Sequence, residues 1–388
     1  MDLKAAISDQ TTFVLDFYKI VAQNKPDQNA VLSPLSISLV LAMAAAGAQG
    51  TTLDQIISCL KLPKGPHAHD FAHQLRSVVL TDGSMSGGPQ LSFVNGIWVE
   101  QTLTLKPSFK QVVEEQYEAV ANHSDFIGKA DDERKIINSW VAEQTKGKIQ
   151  DILPPGSLDS NTRLVLANAL YFKGIWQKKF ESGDTSDGEF YLLNGDSVKL
   201  PMMRSQKKHL IKNCGSYKVL KLPYVQGEDK RAFSMYIFLP DKRNGLPELQ
   251  KGLDVGTILQ ELSRIQEVPV GNFQLPRFKI DFGLEAIDTL QNLGLVKPFS
   301  DEADFSALVD SPQGRKLYVS NVFHKGFIEV NEEGTEAAAA TAAVIKYRSL
   351  MMNSTEDFVA DHPFLFLIRE ELTGVIMFVG HVINPFAG

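Results

Sequence analysis

Cysteine is nearly missing from this chain: 388 residues hold only Cys59 and Cys214. That excludes a disulfide framework, and no CxxC or Cys/His spacing offers a structural zinc site. A reducing compartment is the expectation, with both thiols read as small buried hydrophobes. Positive charge is not in excess: 39 basic against 46 acidic residues leave −7. A nucleic-acid binder needs a basic face for the phosphates, so no nucleic-acid partner is expected. The longest apolar run, around Val40–Ala46, falls far short of the ~20 residues a membrane helix needs. No membrane partner is expected. The opening stretch, MDLKAAISDQTTFVLDFYKIV, has scattered charges and no small-residue cleavage site, so no secretory leader is read there. The expected location is cytoplasmic, with leaderless release to the outside left open.

Catalytic signatures are missing too. There is no GxSxG elbow, no HExxH and no GxxxxGK[ST] loop, so no enzyme activity, cofactor or metal is expected. The nearest approach is HDFAH, His69 to His73, with Asp70 where a zincin needs Glu; it reads as a solvated helix start. Lys207, Lys208, His209 and Lys212 make a small basic cluster, read as a solvated strand or loop. The sequons at Asn122 and Asn353 matter only in an exported chain.

The composition that remains, 44% hydrophobic and 22% charged, is that of a globular protein with a large core. Length alone suggests two to three domains, but no linker or repeat divides the chain, so a single domain over 1–388 is expected. Helical signals dominate the first 150 residues. Phe13, Phe17, Ile20 and Val21 form one helical face. Ser33-Pro34 reads as a helix start, with Gly47 as a left-handed stop. Thr52 and Gln55 read as a capping box. Asp131 or Asp132 opens a helix with Ile136, Ile137, Trp140 and Val141 on one face, closed by Gly147. Strand signals follow, at 164–172, 233–239, 273–282, 316–330 and 374–383, rich in β-branched and aromatic residues. Helices early and strands late, without βαβ alternation, predict an α+β fold with large antiparallel or mixed sheets.

One segment breaks the local rules. Between two convincing strands lies NEEGTEAAAATAAVIKYRSLMMNSTEDF, 331–358. Its alanines favour a helix, and a surface helix or an unstructured connection is the plain alternative. Against that, Gly334 tolerates unusual dihedrals, and every residue from Ala337 to Ala343 is Ala or Thr. Such a segment could slide between strands without steric conflict. A single arginine, Arg348, then stands between Tyr347 and Ser349, as bait for a protease on a mobile strand.

These residues carry a resemblance that runs the length of the chain. EEGTEAAAATAA (332–343) resembles the serpin hinge, and FVADHPFLFLI (358–368) the signature that follows the reactive loop. VLSPLSISLVLAMAAAGAQGTT (31–52), LVLANALYFKGIW (164–176), LPRFKIDF (275–282) and DFSAL around Phe305 lie in the family's order. The likeness is strongest to plant serpins, although many of those carry Leu-Arg before the cleaved bond where this chain has Tyr347-Arg348.

The resemblance implies a single-domain serpin fold: three β-sheets, about nine helices and an exposed reactive-centre loop at about 333–357. It implies a suicide inhibitor without cofactor or metal, acting as a monomer through covalent complexes with target proteases. Counting fourteen positions from hinge glycine Gly334 places the reactive bond at Arg348–Ser349, with Tyr347 and Arg348 setting specificity. Glu333, Gly334, Thr335, Glu336, Ala337, Ala338, Ala339, Ala340 and Thr341 would form the hinge. Ser33, Ser36, Asn168 and His324 would form the shutter under the strands that part, with Trp176 where the loop first enters. The bland readings are a helix cap for Ser33, a satisfied core histidine for His324 and core packing for Trp176. Arg348 implies trypsin-like serine proteases, and Tyr347 suits Arg-accepting papain-like or metacaspase cysteine proteases. Heparin-type activation is not implied, because 67–80 holds only Arg76. The alternative is a non-inhibitory serpin used for storage, as a carrier or as a chaperone.

Overall fold

The computed structural model describes residues 3–62, 67–228, 230–310, 317–335 and 355–387, without the side chains of 3–5 and 67–69. Nine α-helices occur among the described residues: α1 (Leu3–Asn24), α2 (Pro34–Ala45), α3 (Gly50–Cys59), α4 (His67–Leu75), α5 (Pro107–Tyr117), α6 (Phe126–Gln144), α7 (Leu246–Gly252), α8 (Val255–Leu262) and α9 (Ile287–Asn292). None is long and apolar enough to cross a membrane. All twelve residues of α2 are buried, which its all-round apolar sequence dictates. Pro34 starts it, and the Ser33 hydroxyl accepts the Ser36 N–H, as expected of that pair.

Three sheets hold the strands. The six-stranded sheet runs β12 (Phe278–Glu285), β13 (Asn321–Val330), β14 (Gly334–Thr335), β4 (Leu164–Ile175), β2 (Gln90–Glu100), β3 (Val120–Ser124). The seven-stranded sheet runs β1 (Ala30–Leu32), β17 (Ile376–Val382), β16 (Phe364–Glu370), β9 (Phe233–Pro240), β8 (Tyr217–Pro223), β7 (His209–Asn213), β10 (Gln266–Val268). The four-stranded sheet runs β15 (Glu356–Val359), β11 (Val270–Pro276), β6 (Ser197–Arg204), β5 (Ser186–Tyr191).

The central strand β4 is buried along most of its length on both faces. That is why it reads as an unbroken apolar run instead of alternating. α2 packs against it. In a second apolar cluster, Val165, Ala167, Ala169 and Tyr171 of β4 and Phe323 of β13 join Ile137 and Val141 of α6 and Leu153 beyond it.

Several local expectations are corrected. Gly47 does not have a positive φ; a Cβ there would lie 2.6 Å from Leu308 Cβ, so close packing excludes a side chain. Thr52 and Gln55 are not a capping box, since α3 begins at Gly50. Thr52 accepts the Asp304 N–H at 3.0 Å, and Gln55 accepts the Val296 and Lys297 N–H groups at 2.9 and 2.6 Å. α6 begins at Phe126, capped by Asp125, but it is broken at Lys129 (φ −142°, ψ 40°), so its long part starts just before Asp131, close to the expected start. Ile136 is 57% exposed and leaves the buried face to Ile137 and Val141. Gly147 does close the segment, with φ +78°. The predicted strand 273–282 is two strands in different sheets, broken at Arg277, and 316–330 is a strand only from Asn321. Strands β2 and β3 lie in the stretch read as helical.

The α6 helix is tied to the chain that follows it by one side chain. Asn138, buried, donates from Nδ2 to Leu153 O and accepts the Leu153 N–H at Oδ1, both at 2.9 Å. Replacing it by alanine removes the partner of the buried Leu153 N–H and leaves Leu153 O with Arg134 Nη1 alone, at 3.3 Å. Asn138→Ala should lower unfolding stability in urea by about 2 kcal/mol, while an Asn138→Ser control loses less.

Candidate functional site

β13 and β4 run parallel and pair directly from Asn321↔Val165 to Phe327↔Tyr171. His324 and Asn168 are register partners at the middle of this seam. Ser33 N–H donates to His324 Nε2 at 3.0 Å. Nε2 therefore carries no proton; the ring is neutral and its Nδ1–H donates to Asn168 Oδ1 at 3.0 Å. The Ser36 hydroxyl donates to the same oxygen, and Asn168 Nδ2 donates to Val94 O at 3.3 Å and to Asn95 Oδ1. Ser33, Ser36, Asn168 and His324, expected together, thus form one buried network. Burial pushes the His324 pKa down to about 3. Asn95, opposite Asn168 on β2, was not expected, and its Nδ2 has no partner among the described residues. The signal for it was a polar side chain inside the apolar stretch Phe93–Val99 of that strand.

At the upper end the seam is already parted. β14 lies between the two strands, with Thr335 paired to Val330 of β13 and to Gly174 of β4, and Gly334 paired to Ile175. A Cβ on Gly334 would stand 2.0 Å from Gly174 O and 2.8 Å from Ile175 Cα. Close backbone approach is what requires glycine here. Thr335 is fully buried, and its hydroxyl is satisfied by Tyr224 OH at 2.7 Å.

A tight turn leads the chain from β13 into β14. Asn331 Oδ1 accepts the N–H groups of Glu333 and Gly334 at 3.0 and 3.3 Å. Trp176 grips this turn: its indole N–H donates to Asn331 O at 2.9 Å and its backbone N–H to Glu333 O at 2.8 Å. Its ring stacks on Tyr224 with centroids 4.6 Å apart. Glu333 pairs with Lys179 and Glu332 with Arg277. Burial pushes the Glu332 carboxyl up, but hydrogen bonds from Arg277 and Thr185 outweigh it and the net shift is downward. Glu332, Tyr224 and Arg277 were given no role from the sequence because each acts through a neighbour distant in the chain. The Asn331 side chain acts locally, on the N–H groups two and three residues on, and was a legible turn signal that was missed.

The remaining expected hinge residues, Glu336, Ala337, Ala338, Ala339, Ala340 and Thr341, lie outside the described residues, as do Tyr347, Arg348, Ser349 and the Asn353 sequon. The same holds for the His69 side chain; His73 Nδ1 lies 3.4 Å from Gln116 O. His209 of the basic cluster is not solvated: it is buried, stacked on Phe273 at 4.3 Å, with its pKa lowered to about 4 by burial and then by Lys178 and Lys207. Neither cysteine is fully buried, and Cys214 Sγ lies 2.9 Å from Glu261 Oε2, its pKa pushed up to about 12 by burial. Asn122 is exposed on β3.

A family model described as "Serpin (serine protease inhibitor)" matches residues 8–385. The chain belongs to the serpin family. Serpin-ZXA of Oryza sativa subsp. japonica is 51% identical over 391 residues, 99% of this chain and 98% of its own. Serpin-ZX of Arabidopsis thaliana is 47% identical over 389 residues, 99% of this chain and all of its own. The solved structure of Arabidopsis AtSerpin1 in its "Native Stressed Conformation" superposes with a TM-score of 0.92 at 46% identity, covering 100% and 99% of the two chains. The single serpin fold with its three sheets is as expected, and this serpin is a protease inhibitor of the plant type, with proteases as its partners.

Acid should loosen the serpin core. His324, His209 and His381 have folded pKa values lowered to about 3, 4 and 4, each mainly by burial. The unfolded chain binds these protons near pH 6.5, so stability is present above that value and falls as pH drops from there toward 4. At pH 5 each histidine removes about 2 kcal/mol relative to pH 7.5. Urea midpoints across this range should fall, and His209→Phe should fall less steeply; an unchanged slope would contradict the assignment.

Proposed function

We propose that this serpin traps proteases irreversibly by inserting its cleaved loop between β13 and β4. Two-sided pairing of β14 is the observation that carries the reading. Its register with β4 keeps residue numbers summing to 509, and its register with β13 to 665. Continued downward, Ala337 meets Phe172 and Ile328, and Ala339 meets Leu170 and Gly326. Thr341 then falls between Asn168 and His324, the one polar station that the odd-numbered residues meet on that path. Polar Thr335 meets Tyr224 and polar Thr341 meets the shutter, while alanine stands where only apolar neighbours wait. An unpaired charge at either alanine would be buried at high cost.

In the proposed sequence of steps, the protease's Ser or Cys nucleophile attacks the Arg348 carbonyl. The Arg348–Ser349 C–N bond breaks, Ser349 leaves as a free amine, and an ester or thioester remains. Fourteen residue steps at ~3.3 Å carry the acylated end roughly 46 Å along the new strand. Ladder hydrogen bonds worth about 1 kcal/mol each supply on the order of 10 kcal/mol against the captive enzyme. Inhibition is a race between insertion and deacylation by water. Arg348 points to trypsin-like proteases with an acidic primary pocket, and Tyr347 to Arg-accepting papain-like or metacaspase enzymes. The inhibitor acts as a monomer, and its proposed place of action is the cytoplasm.

Mixing with trypsin for minutes should give a band at the summed mass that survives detergent and boiling, and sequencing of the released peptide should begin at Ser349. Arg348→Ala should abolish the band with trypsin, and Ala339→Glu should be cleaved at the same bond without trapping. Complete cleavage with no such band, with trypsin and with a papain-like protease alike, would leave a non-inhibitory serpin.

A further inference from the structure

Behind Trp176, on the side of the seven-stranded sheet, lies a cavity of about 300 Å³. Leu210, half-buried, is its accessible apolar side chain, Trp176 and Leu222 are buried at its back, and Lys178, Lys208, Lys221 and Glu267 stand around it. Glu267 is the register partner of Leu210, and Leu210 of Lys221, so all three point to one face of the sheet. Two of the three ammonium groups are neutralised, Lys178 by Glu267 and Lys221 by Glu371 at 2.9 Å. Lys208 is exposed and has no hydrogen-bond or ion-pair partner among the described residues. Glu267 also feels the charge of Lys208, so two lysines share one carboxylate and one net positive charge remains at the cavity. The downward push of Lys178 and Lys207 on His209, which lines the same cavity, reports the same positive potential.

We propose that this cavity binds a small aromatic monoanion, its ring against Leu210 in front of the buried Trp176 and its acid group at Lys208. The volume sits at the lower end of small-ligand pockets and suits one or two fused rings. A second negative charge would meet Glu267, so a dianion is disfavoured. Trp176, buried at the back of the cavity, links it to the turn at Asn331 and Glu333. The binding itself does not depend on the inhibitory reading, and each can fail alone.

The test titrates the full chain with naphthalene-1-sulfonate, and with uncharged naphthalene-1-sulfonamide, by calorimetry and tryptophan fluorescence. Saturable one-to-one binding of the sulfonate is expected, weakened roughly tenfold in Lys208→Glu and for the sulfonamide, a difference of about 1.4 kcal/mol. Lys208 is exposed, so the variant should keep the wild-type circular dichroism and melting point. Absence of saturable binding at millimolar probe overturns the proposal. So does equal affinity in Lys208→Glu, or equal binding of the neutral analogue.

Discussion

The parallel contact between β13 and β4 is the constraint on which the rest of the molecule depends. In the six-stranded sheet these two strands enclose β14 at one end and touch each other along the remainder. Parallel ladders are slightly weaker per residue than antiparallel ones. A strand entering from β14 would be antiparallel to both neighbours, replacing one weaker ladder by two stronger ones. The sheet is built so that its own connection improves it, and β14 has already made the first two residues of that exchange.

What keeps the seam closed is local and polar. His324 and Asn168 face each other across it, anchored from below by Ser33 and Ser36 at the start of α2. Every member except Asn95 Nδ2 is satisfied, and a buried donor without a partner costs about 1–3 kcal/mol. The network is thus firm enough to hold the strands in register and short of an ideal fit by one group. At the open end, Trp176, Asn331 and Tyr224 hold the turn and Thr335 in place, so the wedge stays seated without advancing.

Much of this was legible in the residues. The helix cap at Ser33, the apolar run of β4 and the alanines after Gly334 each follow from simple rules of capping, burial and size. The role of Gly334 was legible only in part: its missing side chain avoids Gly174 O, a contact no local pattern encodes. Tyr224 and Arg277 were invisible because each meets its partner across the fold, from just beyond β8 and from the break between β11 and β12, whereas Asn331 closes its turn locally. The same blindness misread Thr52 and Gln55, whose side chains cap loops some 240–250 residues away. Local capping logic loses when a tertiary donor competes for the same oxygen.

The central claim is that the closed seam is the less stable arrangement of this chain. The most direct measurement compares thermal unfolding of the intact protein with protein nicked at Arg348–Ser349 and freed of protease. An extra stabilisation on the order of 10 kcal/mol, at about 1.2 °C per kcal/mol for a chain of 388 residues, should raise the midpoint by roughly 12 °C. A nicked protein that melts at or below the intact one would show that the loop does not enter the sheet.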